Sequence, residues 1–463
     1  MDLQKENELG TKSVGKLLFS LALPAITAQI VNVLYNMVDR MFIGHIPEIG
    51  AQALTGVGLT FPIIMVISAF ASLVSMGGAP RASIMMGQGK TNVAEKIMGN
   101  CTSALIIISL VLTVVIYFGC EPMLMAFGAS VNTIGYAADY VKIYACGTIF
   151  VQLALGLNAF ITSQGFAKTS MLTVLIGAVI NIILDPILIF TFGLGVKGAA
   201  YATVISQGVS AVWVVLFLNG KKTTLKIRKE NLKIVPRILF PCLALGISPF
   251  VMQATESLIA ICFNSSLLKY GGDLAVGSMT ILNSVMQFSM LPLMGLTQGS
   301  QPIISYNYGA GKTPRVKKTF KLLIISALIY SVTLWALVMI APQMFAQIFT
   351  SDPKLIAMVI PTMRIFMASS LFFGIQGSCQ QTFIALGNAK ASLFLALLRK
   401  VFLLIPLIYI LPLLLSQPVL GVFLAEPIAD LIAVIVTASM FISQFRKLIA
   451  EMDSRAVVST SDD

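Results

Sequence analysis

Histidine occurs once in this chain, at His45, and tryptophan only twice. A single histidine in an outer loop removes His-based catalytic triads and histidine zinc sites. Charge is scarce as well: 11% of residues are charged and 57% hydrophobic, with a mean hydropathy of +0.91. That excludes an ordinary soluble domain. The six cysteines (Cys101, Cys120, Cys146, Cys242, Cys262 and Cys379) have no paired spacing and mostly fall in apolar runs. They read as small buried hydrophobes, not as a disulfide framework. The alternation of a membrane barrel is missing, as is a short apolar leader with a cleavage site. No loop carries a nucleophile–base pair, which speaks against a membrane-embedded enzyme.

What the chain does have is apolar runs of about 20 residues, each enough to cross ~30 Å of hydrocarbon as a helix. Backbone in lipid must satisfy its own hydrogen bonds, so helix is the predicted state. Twelve spans are expected, with cores near 17–39, 55–78, 98–118, 137–160, 171–191, 198–218, 239–263, 276–298, 321–341, 361–383, 392–413 and 420–443. Twelve spans put both termini on one side. Twenty-three Lys and Arg fall on that side and four (Arg40, Lys197, Lys269 and Lys354) on the other. The asymmetry predicts cytoplasmic termini. The net charge of +12 is thus a topology signal with possible contact to anionic lipid, not a nucleic-acid footprint.

The sequence is also doubled. Leu21-Ala22-Leu23 recurs as Leu243-Ala244-Leu245, Gly87-Gln88-Gly89-Lys90-Thr91 as Gly309-Ala310-Gly311-Lys312-Thr313, and Gly165-Phe166-Ala167-Lys168 as Gly387-Asn388-Ala389-Lys390, each 222 residues on. Six spans per repeat is an even number, so the repeats share one orientation. The predicted fold is an all-α polytopic membrane protein: twelve transmembrane helices as two six-helix lobes related by a pseudo-twofold along the membrane normal. The expected division is an N-terminal segment 1–15, a lobe 16–218, a basic linker 219–237, a second lobe 238–443 and a tail 444–463. From Glu451 on, the tail is expected to lack fixed structure. The Gly-Lys-Thr triplets are not phosphate loops, because Ile84 and Tyr306 stand where that motif needs its first glycine.

Polar residues inside spans are the functional candidates. Span 1 carries Gln29, Asn32, Asn36 and Asp39 on one helical face; span 5 carries Asn181 and Asp185, and span 6 Thr203 and Gln207, each pair four apart. Helix-to-helix glue explains the amides well but Asp185 poorly, since its own span holds no base. Asp39, near the interface and next to Arg40, reads either as an interfacial ion pair or as part of a site. The second lobe offers Gln253 and Glu256 in span 7, Asn283 and Gln287 in span 8, and Gln376 and Gln380 in span 10. Span 11 has Arg399 and Lys400, and span 12 Glu426 and Asp430. Arg399, Glu426 and Asp430 are candidates for a structural ion pair as much as for transport. Glu256 is expected to be without a nearby partner, hence the better binding candidate, alongside Gln29, Asn32, Asn36, Gln253, Asn283, Gln287 and Gln380. An isolated carboxyl in an apolar cavity can hold a proton, or bind Na⁺ or an organic cation; competition between them couples an exchanger.

Three stretches support a resemblance covering about Lys16 to Ile442. They are Leu34-Tyr35-Asn36-Met37-Val38-Asp39, Asn181-Ile182-Ile183-Leu184-Asp185-Pro186 and Gly195-Val196-Lys197-Gly198-Ala199-Ala200. With the Gly-x-Gly-Lys loops, they resemble multidrug and toxic compound extrusion (MATE) transporters, in the DinF-like branch close to MepA-like bacterial exporters. The resemblance implies a V-shaped pair of lobes in the bacterial cytoplasmic membrane. It implies export of amphipathic, often cationic, drugs and dyes in exchange for H⁺ or Na⁺, with no other cofactor, by a monomer. It further implies a cation or proton site at Asp39, Asn181, Asp185 and Thr203, and matches Glu256 to an acidic span 7 residue of other members; Glu426 and Asp430 depart from the general pattern. A lipid-linked precursor flippase is the alternative, and would want a cationic cavity.

Overall fold

Apolar runs with no partner but lipid must form helices, and the computed structural model follows that rule throughout. It describes residues 7–461, with side chains up to Ser454. The spans are α1 (Val14–Gly44), α2 (Gly50–Gly87), α3 (Thr91–Ala126), α4 (Ile134–Ser163), α5 (Ala167–Thr191) and α6 (Val196–Asn219). A helical stretch from Pro236 to Gly309 follows, 74 residues long. At 1.5 Å per residue it would measure about 110 Å, several times the hydrocarbon thickness. It is in fact two spans: Gly272, at φ 64 and ψ −164, breaks the helix in a conformation only glycine adopts readily. These are α7 (236–271) and α8 (273–309). Then come α9 (Thr313–Ile340), α10 (Pro353–Ala385), α11 (Ala389–Leu414) and α12 (Pro418–Ser461). Several spans are interrupted: α4 bends by 58° at Gly147, and α5 and α11 contain π-helical turns at Ile187–Thr191 and Leu398–Leu404.

The packing divides the molecule into two lobes, α1–α6 and α7–α12. Toward the side carrying the termini, one hydrophobic cluster draws on both lobes, joining Leu17, Leu21, Val74 and Met98 with Cys242, Ile303 and Tyr306. Toward the opposite side each lobe has its own cluster, one around Ile43, Ile67, Val141 and Ala200 and the other around Phe263, Leu282, Phe366 and Phe423. A core shared at one end and split at the other is a V. Its vertex is built by repeat mates: a Cβ on Gly87 would run into the Tyr306 carbonyl, and one on Gly309 into the Ile84 carbonyl. Only glycine lets α2 and α8 meet this closely.

Two segments near the vertex are more ordered than the sequence suggested. The linker is strapped to the first lobe. Gln164 Oε1 accepts from Thr223 Oγ1 (2.9 Å), Thr224 N (2.8 Å) and Leu225 N (2.9 Å), and buried Glu95 accepts from Lys226 N and Arg228 Nε. Glu95 beside it pushes the Arg228 guanidinium pKa up. The terminal segment packs Leu9 out of solvent, and Asn307 Nδ2 (2.9 Å) and Arg315 donate to its backbone carbonyl. The first six residues of the expected 1–15 segment lie outside the described residues. The expectation of an unstructured tail is corrected: α12 continues to Ser461, and Ile449 and Met452 pack with Val316 and Leu386, which gives the polar run an apolar face to bury.

Candidate functional site

In the first lobe, α1, α5 and α6 bring their polar residues to one buried pocket. The four-residue spacing sets Asn181 directly beside Asp185: Nδ2 donates to Asp185 Oδ1 at 3.3 Å and to Thr203 Oγ1 at 3.5 Å. The Thr203 hydroxyl donates onward to the Ala199 carbonyl, 3.0 Å away. Asn181 and Asp185 are fully buried and Asp39 nearly so. Asp39 and Asp185 lie within electrostatic reach of one another, and of Tyr35 and Tyr140. Asp39 Oδ1, Asn181 Oδ1 and Asp185 Oδ2 are buried acceptors with no hydrogen-bond donor. Two adjacent carboxyls out of water cannot both carry bare charge. They need a proton between them or a hard cation, and an all-oxygen set of carboxylate, amide and hydroxyl suits Na⁺ as well as H⁺. Among the described residues Asp39 has no salt bridge to Arg40, whose guanidinium lies over the Phe61 ring, 5.6 Å from its centroid.

The polar stripe of α1 continues from this pocket toward the vertex. Asn36 donates to the Asn32 carbonyl at 2.6 Å, and Gln29 donates across the lobes to Gln298 Oε1 at 3.2 Å. Gln253 Nε2 donates to Ser72 Oγ at 3.0 Å, and Phe70 meets Phe250 edge-on with centroids 5.0 Å apart. These contacts form the floor of the V. Asn283 and Gln287 are exposed and lie on the same helical face as Gln298, so they look across the cleft above that floor. Gln380 is buried in the second lobe, donating to Met252 Sδ at 3.2 Å and accepting from Gln376. Ser72, Gln298, Tyr35 and Tyr140 were not singled out from sequence; Gln298 shared the helical spacing of Asn283 and Gln287 and was legible by that signal.

The second lobe holds a charged cluster on α7, α11 and α12, the repeat mates of the three helices that form the first pocket. Arg399 donates from Nε to Asp430 Oδ1 at 2.5 Å and lies 3.6 Å from Glu426 Oε1; Ser369 Oγ completes Asp430 at 2.9 Å. The expectation that Glu256 has no partner is overturned. Lys400 Nζ lies 2.9 Å from Glu256 Oε1. Consecutive residues on a helix point about 100° apart, so the two bases reach different helices, Arg399 toward α12 and Lys400 toward α7. All six cysteines are free, and all but Cys146 are buried.

Comparison with known proteins follows the same two-lobe division. The sequence profile of the MatE family matches residues 24–187 and 249–410, one stretch in each lobe. The multidrug export protein MepA of Staphylococcus haemolyticus (strain JCSC1435) is 27% identical over 430 residues, covering 92% of this chain and 94% of its own. MepA of Staphylococcus aureus (strain NCTC 8325 / PS 47) is 26% identical over 426 residues, covering 91% and 93%. A solved structure of MATE in the bent conformation superimposes with a TM-score of 0.90 at 22% identity, over 96% of this chain and 98% of the other. An outward-facing MATE family transporter of the MOP superfamily gives 0.88 at 22% identity, over 95% and 98%.

Proposed function

This chain belongs to the MatE family, and we propose that it is a secondary active multidrug exporter, moving amphipathic, often cationic, compounds outward in exchange for H⁺ or Na⁺. The observation that carries the reading is the burial of two carboxyls, Asp39 and Asp185, with Asn181 bonded to Asp185 and Thr203, beside a cleft lined by amides and one carboxylate. The likeness to the multidrug export protein MepA over nine-tenths of both chains supports the same conclusion. We assign the basic side to the cytoplasm of a bacterial cell by the charge asymmetry of the loops. The cleft then opens outward, and the sealed vertex faces the cytoplasm.

Coupling follows from the pocket. A proton or Na⁺ shared by Asp39 and Asp185 removes the repulsion between the two carboxyls and so changes how tightly α1 is held against α5. Pro24 gives α1 a place to yield, since it lacks the N–H that would close the helix there. A bend of α1 at that point reshapes the cleft face carrying Gln29, Asn32 and Asn36, with Gln253, Glu256, Asn283 and Gln287 as the opposing substrate contacts and Gln380 buried behind them. No cofactor beyond the coupling ion is required, and the protein acts as a monomer amid lipid without a nucleic-acid partner. A lipid-linked precursor flippase is less well supported, because Arg399 and Lys400 are both engaged by carboxylates.

The test is reconstitution in liposomes with a fluorescent cationic dye, imposing a proton gradient and a sodium gradient separately. Uphill dye movement under one of them is expected, and it identifies the coupling ion. A folded protein that moves dye under neither gradient contradicts the exporter reading.

A further inference from the structure

The second lobe holds three carboxyl groups and two bases within one cluster, and its members differ in how well they are satisfied. Asp430 has both Arg399 and the Ser369 hydroxyl. Glu426 is almost fully buried, yet its nearest cation, Arg399, is 3.6 Å away, beyond hydrogen-bonding distance. Lys400 has one partner, Glu256, and their exposures are opposite: the Lys400 side chain is 7% exposed and the Glu256 side chain 56%. Glu256 lies one helical turn from Gln253, which bonds across the lobes to Ser72, so the exposed carboxylate faces the cleft just above its floor. A cation in the cleft can therefore reach Glu256 without passing Lys400. Glu426 lies beside Arg399, the residue next to Lys400 in the chain, and so belongs to the same cluster.

We propose that Lys400 is a tethered competitor for the cationic substrate: it occupies Glu256 when the cleft is empty and passes to Glu426 when a substrate cation takes Glu256. This rests on the export reading above and adds a residue that sets specificity and release. A buried ammonium is costly without a carboxylate, so Lys400 cannot simply be expelled; it must change partners. Its flexible four-carbon stem permits that change, whereas the planar guanidinium of Arg399, locked to Asp430, does not. After the exchange every cation in the cluster still has an anion, and the substrate leaves when Lys400 returns. Lys400 is thus a positioning residue whose movement links the cleft to the interior of the lobe.

The experiment is equilibrium binding of a monovalent cationic dye to the purified full-length protein in lipid nanodiscs, with dye exchange measured in liposomes. Lys400→Gln is expected to bind the dye about tenfold more tightly while exchanging it more slowly, a split that loss of structure would not produce. Lys400→Arg keeps a competing charge and should stay near wild-type affinity. Glu426→Gln, which deprives the displaced ammonium of its acceptor, should weaken binding severalfold, and in Lys400→Gln/Glu426→Gln that weakening should vanish. Should Lys400→Gln fail to fold, weakened binding in Glu426→Gln alone remains the required result. Unchanged or weaker binding by folded Lys400→Gln overturns the proposal, as does an undiminished Glu426→Gln effect in the double variant. Wild-type protein that binds no dye contradicts the export reading and this proposal together, whereas normal wild-type binding with inert Lys400 variants contradicts this proposal alone.

Discussion

Asp430 illustrates how a charge survives inside the second lobe. Its two oxygens are taken by Arg399 and Ser369, and both it and Arg399 are shielded from solvent. Removing one member of such a pair leaves an uncompensated buried charge, at a cost of about 3–5 kcal/mol. Asp430→Asn should therefore lower the thermal unfolding midpoint in detergent sharply, and Arg399→Met added to it should recover most of the loss. An Asp430→Asn protein as stable as wild type contradicts the structural role. At this scale the sequence supplied the candidates but not their partners. Asn181 and Asp185 were readable because one helical turn joins them. Glu256 and Lys400 were not, because 144 residues separate them and only the packing of α11 on α7 unites them.

Among elements, helices were the most legible, since about 20 apolar residues in lipid admit little else. The break at Gly272 was legible too, falling between the expected spans 239–263 and 276–298, whereas the bend at Gly147 lies inside the expected span 137–160 and was not. The linker was legible as a basic boundary, yet its attachment was hidden. Gln164, Glu95 and Asn100 read as ordinary polar residues near span ends, and backbone groups, which have no side-chain signature, are among the partners of each. Gln164 alone satisfies three donors, each worth about 1 kcal/mol. Gln164→Ala is expected to free the strap, so that trypsin cuts after Lys221 or Lys222 about tenfold faster. An unaltered cleavage rate would mean that Glu95 and Asn100 hold the linker without it.

At the scale of the whole molecule, the 222-residue repeat foretold two like-oriented lobes, and the MatE profile matches once in each. Less visible was the purpose of the repeated glycines. Gly87 and Gly309 sit in matching motifs that look like fragments of a phosphate loop, and instead they let the repeats touch backbone to backbone at the vertex. Gly309→Val forces a methyl-bearing Cβ against the Ile84 carbonyl and should pry that seal open. Buried Cys242, whose backbone packs against Gly77 at the same seam, reports on it. Thiol labelling of Cys242, followed by peptide mass spectrometry, should rise about tenfold in the variant. Labelling at the wild-type rate would show that the seal does not depend on this contact.

In the proposed function the pocket of Asp39 and Asp185 bears the coupling, and the most direct measurement is gradient-driven dye movement in liposomes by wild type, Asp185→Asn and Asp39→Asn, with dye binding measured alongside. Each variant should keep its fold and its affinity for dye within about threefold while losing movement driven by the ion gradient. Full gradient-driven transport by both variants contradicts a coupling role for the two carboxyls.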